Sequence, residues 1–242
     1  MTAIIAHRGA SRAAVENTVD AFALAVAMGV DGIELDVRRS RDGRLVVHHD
    51  PRLADGAAIV DVDRPDLPDH VPDLRAALLA CAGADGEFGV TVNIEIKNDV
   101  NEPDFDATRS IAPIVLAEAR AVAETSGSAK QPWLISSFDL AMVDAVRAVD
   151  PGVATAWLVV DVPADAISVL KDRGHGALHP WVGSLDRATV DRCHASGIAV
   201  NTWTCDDPER IRELVAWGVD GICTNVPDIA LAVRDDDSIG RG

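Results

Sequence analysis

The chain of 242 residues is short of positive charge, which argues against one broad class of partner. It carries 22 Lys and Arg against 39 Asp and Glu, a formal net charge of −17. Nucleic acids and anionic membrane surfaces are bound by clusters of Lys and Arg, so neither is an expected partner. Most of the excess acid is interpreted as solvated surface that keeps the protein in solution. An anionic substrate would then need a local patch of positive charge or a bound metal ion.

Paired cysteines and long apolar runs are also missing. The four cysteines, at 81, 193, 205 and 223, form no Cys-x-x-Cys pair and no zinc-type spacing. Free thiols in a reducing compartment are therefore expected. No apolar run approaches the ~18 residues of a membrane span, and the opening MTAIIAHRGA lacks the basic and apolar regions of a signal peptide. These absences predict a cytoplasmic protein without stable membrane insertion.

Short apolar segments alternate with longer amphipathic ones along the chain. Strands are predicted at 3–7, 32–37, 91–97, 133–138, 154–159, 176–180, 199–203 and 221–225. Helices are predicted at 18–29, 74–83, 111–127, 140–150, 164–174, 187–197 and 207–218, several of them ending at a glycine. The strands are nearly all apolar, as in a parallel sheet buried on both faces. The pattern predicts an α/β fold, a TIM (β/α)8 barrel, as a single domain over 1–233 with a polar, disordered tail over 234–242.

One phrase occurs twice, as GVDGIELDV at 29–37 and as GVDGICTNV at 218–226. Each copy is interpreted as a helix end, a glycine cap and the entry into a barrel strand. Only the first copy carries carboxylates within the strand, Glu34 and Asp36. Functional residues of such barrels lie at the C-terminal ends of the strands, and buried carboxylates are costly unless they are paired or bind a metal. Glu34 and Asp36 are therefore expected to be functional.

A ninth strand is predicted in RLVVHHD, residues 44–50, because it follows an Asp-Gly pair. Asp-Gly is a strong signal for a two-residue hairpin turn. With Asp42 and Gly43 as the turn, residue 36 would face residue 49, and directly opposed residues share one face of a hairpin. This turn would place His49 beside Asp36.

Titratable side chains gather at the ends of the first three barrel strands and on the hairpin beside them: His7, Glu34, Asp36, His49 and Glu95. Three carboxylates around one point suit Mg²⁺ or Ca²⁺ better than zinc. Lys97 would repel such an ion unless an anion lay between them, and phosphate is the natural choice. Arg8 adds a second cation able to hold phosphate oxygens. Two histidines beside a bound phosphate would supply a general acid and a general base.

Each of these residues also has a structural interpretation. A histidine in a strand is often a satisfied core residue, Lys97 could simply neutralise Glu95, and Glu16 could pair with Arg8. Asn17 or Thr18 could cap the first helix. Several further side chains are predicted at the mouth of the barrel, where they either pack or contact a ligand: Phe138, Trp157, His179, Trp181 and Trp203.

Several segments together resemble the glycerophosphodiester phosphodiesterase family over nearly the whole chain: HRGAS…ENT (7–18), GIELDVRRSRDGRLVVHHDP (32–51), NIEIK (93–97), SSF (136–138), VNTWT (200–204) and GVDGICTNVP (218–227). The resemblance implies a barrel of the phospholipase C-like phosphodiesterase type. It also implies hydrolysis of a glycerophosphodiester to glycerol 3-phosphate and an alcohol, within lipid and glycerol metabolism.

The resemblance further implies roles for single residues. One divalent cation, Mg²⁺ or Ca²⁺ with Mn²⁺ as a further candidate, would be held by Glu34, Asp36 and Glu95. His7 and His49 would be the acid/base pair, with the assignment between them open. Three residues would contact the substrate, Arg8 and Lys97 at the phosphate and Trp203 at the glycerol end.

The chain departs from the family pattern after His-Asp-Pro. Residues 51–72 form a short acidic segment in place of a longer insertion that often covers the substrate. This leaves the size of the substrate and its head group open, and lysophospholipid-like diesters are an alternative to small ones. A non-catalytic ligand-binding barrel and a sugar-phosphate isomerase or aldolase are further alternatives. The key positions are all present, and the segments after strands seven and eight offer no Gly-rich phosphate loop. The oligomeric state is left open.

Overall fold

The predicted TIM barrel is confirmed by a computed structural model, which describes residues 1–83, 86–126 and 132–239. Eight parallel strands form a closed ring, because β1 pairs with β2 on one side and with β9 on the other. The hairpin strand β3 pairs antiparallel with the far end of β2, outside the ring. The strands are β1 (Ala3–Ala6), β2 (Gly32–Arg39), β3 (Leu45–Val47), β4 (Thr91–Ile96), β5 (Trp133–Ser137), β6 (Ala154–Val159), β7 (Ala177–Pro180), β8 (Ala199–Thr202) and β9 (Gly221–Thr224).

Helices follow the barrel strands and cover the outside of the ring. They are α1 (Val19–Met28), α2 (Leu74–Ala80), α3 (Ile111–Ser126), α4 (Leu140–Val149), α5 (Ala166–Arg173), α6 (Arg187–Ala195), α7 (Pro208–Trp217) and α8 (Pro227–Ile239). In the described ranges, none of them is both long enough and apolar enough to cross a bilayer. Residue 127, predicted as the end of α3, lies outside the described residues.

Helix α8 is the main element that the sequence pattern does not predict. Residues 234–239, expected in a disordered tail, continue this helix, while 240–242 lie outside the described residues. The Arg234 guanidinium pairs with Asp31 at the entry to β2. This contact ties the polar end of the chain to the barrel.

The alternation of side chains along each strand separates the core from the site. Ile33, Leu35 and Ile94 point outward and are fully buried beneath the helices. Their neighbours in sequence, Glu34 and Asn93, point into the barrel, since successive side chains of a strand lie on opposite faces. Because the apolar side chains of each strand pack outward under the helices, the side chains that alternate with them point into the barrel.

The repeated Val-Asp-Gly phrase proves to be a device for anchoring strands. Asp31 accepts a hydrogen bond from the Ile4 backbone N–H of β1 at 2.8 Å, and Asp220 accepts one from the Val200 N–H of β8 at 2.7 Å. The glycines before them, Gly29 and Gly218, both have φ of 78°, the left-handed conformation that ends a helix. The phrase thus ends a helix and anchors the strand beside the one that it starts.

The prediction of a two-residue hairpin turn between β2 and β3 is wrong. Strand β2 pairs with β3 as Val37 with Val47 and Arg39 with Leu45, so residue 36 lies opposite residue 48. The loop has three residues, 41–43, and Gly43 takes a left-handed φ of 80°. The Ser40 hydroxyl accepts a hydrogen bond from the Arg44 N–H at 3.1 Å and so supports the longer loop.

The shortened segment after the hairpin packs away from the barrel mouth. Two short 3₁₀ turns, Ile59–Asp61 and Arg64–Asp66, lie in this segment, and the first carries Ile59 onto the outer hairpin strand. Ile59 and Val71 form a small buried cluster with Val46 of β3. Residues 51–72 therefore support the hairpin and line none of the barrel's central cavity.

Candidate active site

Three carboxylates meet at the C-terminal end of the barrel. Glu34 and Asp36 leave the inner face of β2, and Glu95 lies level with Asp36 on the adjacent strand β4. Each is at most 7% exposed, and one ligand oxygen from each lies within 4.8 Å of the others. The strand geometry thus assembles an oxygen-rich group of the kind expected from the sequence.

Two cations stand against the carboxylates. The Lys97 ammonium lies 2.5 Å from Glu95 and 2.9 Å from Asp36, and the Arg8 guanidinium lies 3.3 Å from Asp36. Burial would raise the pKa of Asp36, but Lys97, Arg8 and His49 hold it well below its usual range. Glu34 behaves differently, because burial and the charges of Asp36 and Glu95 raise its pKa well above the usual value.

Glu34 is the least compensated member of the group. Its Oε2 accepts a hydrogen bond from the Arg8 backbone N–H at 3.0 Å and lies 4.0 Å from His7 Nε2. Its Oε1 is buried and accepts no hydrogen bond from the described residues. A buried carboxylate oxygen without a partner is unfavourable, so this atom is a natural ligand for a cation.

His7 is held by a network that the sequence reading missed. Its Nδ1 lies 2.7 Å from Asn225 Oδ1, and Asn225 Nδ2 donates to Asp206 at 2.8 Å. An ionised carboxylate only accepts hydrogen bonds, so it fixes the orientation of the amide and makes Oδ1 face the histidine. His7 therefore carries its proton on Nδ1 when neutral. Desolvation by burial lowers its pKa, and the charge of Arg8 lowers it further.

His49 reaches the site although the predicted register is wrong, because pairing with β2 ends at the hydrogen bond from the His48 N–H to the Asp36 carbonyl. Its Nδ1 lies 2.7 Å from Asp50 Oδ1. The guanidinium of the buried Arg38 donates to the His49 carbonyl oxygen from Nε at 2.8 Å and from Nη2 at 2.5 Å. Desolvation and the charge of Lys97 lower the pKa of His49.

The residues before α1 have separate tasks. Thr18 caps the helix by accepting the Ala21 N–H at 3.2 Å, and Glu16 pairs with Arg8 at 2.8 Å. Asn17 is not the cap; its side chain donates to Asp36 Oδ2 at 2.7 Å from a backbone with φ of 57°. Asn is among the few residues that tolerate this left-handed conformation, but the sequence alone does not show that residue 17 adopts it.

A cavity of about 270 Å³ opens beside these groups. His7, His49 and Lys97 line it with ionisable groups, and Phe138 and Trp203 line it with aromatic rings. Their rings meet edge to face with centroids 5.4 Å apart. A ligand here would touch both ionisable groups and aromatic carbon.

The floor of the cavity is polar. Asn201 Nδ2 donates to His179 Nε2 at 2.9 Å, and burial lowers the pKa of His179 to about 3, so this ring is neutral. Asn93 also lines the cavity, and its Oδ1 is buried without a hydrogen-bond partner in the described part of the chain. Of the remaining mouth residues, Trp157 donates to the Phe138 carbonyl at 3.3 Å, a packing role.

Comparison with known proteins points to one family. The family model described as "Glycerophosphoryl diester phosphodiesterase family" matches residues 7–229. A glycerophosphodiester phosphodiesterase of Caldanaerobacter subterraneus is 29% identical, over 94% of this chain and 95% of its own length. The crystal structure of a putative glycerophosphoryl diester phosphodiesterase from Silicibacter pomeroyi has a TM-score of 0.85 at 26% identity, covering 98% of this chain and 94% of that one.

A further solved structure shares the fold at lower identity. It is an Oleispira antarctica phosphodiesterase in complex with the product sn-glycerol-3-phosphate, with a TM-score of 0.84 at 24% identity and 97% of each chain covered. The family model spans seven of the eight barrel strands, β2 and β4–β9, together with the carboxylates, both histidines and the two cations described above. The chain belongs to the glycerophosphoryl diester phosphodiesterase family.

Proposed function

We propose that this protein hydrolyses a glycerophosphodiester to glycerol 3-phosphate and an alcohol, with a divalent cation and two catalytic histidines. The observation that carries the proposal is the combination of three converging buried carboxylates with two histidines and two cations at one cavity. Membership of the family and the names of its relatives support the same reaction.

The donor set fits a hard divalent cation. Glu34, Asp36 and Glu95 supply only carboxylate oxygens, the ligands that Mg²⁺ and Ca²⁺ prefer, with Mn²⁺ as a further candidate. The unpaired Glu34 Oε1 would gain a partner. When bound, the ion would supply positive charge against the phosphate and against the charge that develops on it during reaction.

Lys97 and Arg8 would hold the phosphate oxygens from the protein side. Both line the cavity, and both are fixed by Asp36. The substrate anion would contact both cations from the cavity, and their positive charge would offset the repulsion between the phosphate and the carboxylates. Trp203 would pack on the glycerol end, its indole N–H held by the His179 carbonyl at 2.8 Å.

The groups behind the two histidines distinguish their roles. His7 is backed by the neutral amide of Asn225, so its Nε2 keeps a free lone pair and suits a base. His49 is backed by the carboxylate of Asp50, which raises the pKa of the ring against the lowering by burial and Lys97 and so suits an acid. His7 would take the proton of the attacking hydroxyl, either of water or of the glycerol 2-hydroxyl. In the second case the alcohol leaves with formation of a cyclic phosphate, which water then opens to give glycerol 3-phosphate. His49 would give a proton to the alcohol oxygen as its bond to phosphorus breaks.

The first test is release of glycerol 3-phosphate from glycerophosphocholine and glycerophosphoethanolamine, in EDTA and with Mg²⁺, Ca²⁺ or Mn²⁺ added back. Metal-dependent release is the expected result. The variant His49→Ala should lose turnover while metal binding, followed by calorimetry, persists. No release from the folded protein with any of these ions would overturn the proposed reaction, and full turnover by His49→Ala would overturn the role of His49.

We also infer a cytoplasmic location. All four cysteines are buried free thiols, a state typical of a reducing compartment, and the net charge of −17 disfavours anionic membrane surfaces. Cell fractionation tests the inference, and recovery of the activity in a secreted or membrane fraction would contradict it.

A further inference from the structure

A second cavity, of about 180 Å³, adjoins the catalytic one; we call it the side cavity, and it is lined by His49, Lys97, Asn98, Asp99, Glu102 and Phe138 together with part of β4. We propose that the side cavity receives the leaving alcohol of the diester and selects an alcohol that carries a positively charged nitrogen. The inference rests on the proposed function and adds to it a class of substrate.

The position of the side cavity relative to the catalytic groups supports this role. His49, Glu95, Lys97 and Phe138 line both cavities. A phosphate held at Lys97 therefore has space for one ester arm on each side. The arm in the side cavity passes His49, the residue placed to protonate a leaving oxygen.

The charge of the side cavity favours a cation. Three carboxylates line it, those of Glu95, Asp99 and Glu102. The Arg38 guanidinium pairs with Glu102, which leaves Glu95 and Asp99 against the ammonium of Lys97. That ammonium is already paired with Glu95 at 2.5 Å. Asp99 is exposed, and its Oδ1 accepts hydrogen bonds from the N–H and side chain of Asn101. No described residue donates to its Oδ2, which leaves this oxygen available to an incoming cation.

An aromatic ring completes the surface. Phe138 is 43% exposed although it is a large apolar side chain, and Trp203 holds its orientation through the edge-to-face contact. Aromatic faces attract organic cations, quaternary ammonium groups included. The combination of a carboxylate and an aromatic ring matches an amine or ammonium head group better than a polyol.

The wall is held in place before any ligand arrives. Arg38, 1% exposed, donates to Glu102 at 2.8 Å and to Asp104 at 2.7 Å while also holding the His49 carbonyl. Asn98 donates to Asp139 at 2.7 Å. Because this wall of the side cavity is preformed, little ordering entropy is lost when a substrate binds. Its preference for a charged alcohol can therefore appear in kcat/KM.

The test compares two diesters of the same shape and different charge. Glycerophosphocholine carries a quaternary nitrogen, and the 3,3-dimethylbutyl ester of glycerol 3-phosphate replaces that nitrogen with carbon. The wild-type protein should favour the choline ester in kcat/KM by about 2- to 30-fold, which corresponds to the strength of a cation–aromatic contact. In Asp99→Asn the ratio should fall towards one, and in Asp99→Lys it should fall below one.

Asp161→Asn is the matched control, because it removes one negative charge from an exposed residue after β6, at another pocket on the same end of the barrel. Its ratio should equal that of the wild type. The inference is overturned if both esters are hydrolysed with a ratio near one, or if Asp99→Asn and Asp161→Asn change the ratio equally. If neither ester is hydrolysed under any metal condition, the proposed function itself fails, and the inference fails with it.

Discussion

Asn225 links two parts of the chain that are far apart in sequence, and its effect on catalysis is testable. It accepts from His7 Nδ1 and is itself oriented by Asp206. We expect Asn225→Ala to lower kcat by about 10- to 100-fold, part of the ~10²–10⁴-fold contribution of general acid–base catalysis, with KM little changed. Steady-state kinetics measure this, with Ser11→Ala as control because Ser11 also contacts Asn225, at 3.1 Å. An unchanged kcat would show that His7 needs no support from the amide.

Gly9, in the His-Arg-Gly motif, is constrained by both conformation and space. Its φ is 79°, and a Cβ there would lie 2.7 Å from backbone atoms of Ala21. We expect Gly9→Ala to lower the free energy of unfolding by about 2–4 kcal/mol, combining left-handed strain with overpacking. Denaturant titration measures the change. Gly29→Ala, with φ of 78° and nothing within 4 Å of its Cβ, should lose only about 1–2 kcal/mol, and equal losses would contradict the packing argument.

The convergence of the three carboxylates could be predicted from the sequence of each strand. The residues that hold the site in place could not. The alternation along a strand is enough to send Glu34, Asp36 and Glu95 to one side. Asn17 and Asn225 reach the site from loops, and the contact between His7 and Asn225 spans 218 positions. No local pattern encodes such a contact, because it exists only once the ring of strands is closed.

At the scale of elements, the loop before α3 depends on one carboxylate. Asp106 accepts hydrogen bonds from Thr108, from Ser110 and from the Ile111 N–H that opens the helix. Burial would raise its pKa, but these bonds lower it to about 2. The stability that it contributes is present above the ordinary carboxyl pKa of about 4 and is lost as the pH falls towards 2.

Asp106→Asn should therefore be less stable than the wild type at neutral pH. Its free energy of unfolding should also fall less steeply between pH 4 and pH 2, since the titrating group is gone. Urea unfolding across this pH range measures both effects, with Asp161→Asn as an exposed carboxylate control. A variant whose acid limb runs parallel to that of the wild type would show that Asp106 does not carry this pH dependence.

The hairpin shows where prediction of elements from sequence stops. The Asp-Gly signal correctly placed a turn between β2 and β3, but Ser40 and Gly43 support three loop residues in place of two. A shift by one residue moves every following side chain to the other face of a ladder. His49 escapes this consequence because β3 ends at Val47. The turn residues can be identified from the sequence, whereas the residues at which β2 and β3 begin to pair depend on neighbouring elements.

For the whole molecule, the net charge of −17 has a consequence for stability. Like charges repel across the compact state, while the exposed ion pairs contribute little. We expect the midpoint of thermal unfolding to rise as NaCl is increased from about 10 to about 150 mM, over which the screening length falls from about 30 to about 8 Å. Differential scanning calorimetry without divalent ions measures it. A midpoint that falls with added salt would show that attraction between charges outweighs repulsion.

The two copies of the Val-Asp-Gly phrase lie on either side of β1, one opening β2 and the other opening β9. At its base each strand does the same structural work, whereas at its tip one presents Glu34 and Asp36 and the other Cys223 and Asn225. Within these nine residues, the first positions thus determine how the strand is anchored, and the last positions determine which side chains reach the active site. Substitutions at the last positions can therefore change the chemistry of the site, while the first positions preserve the fold.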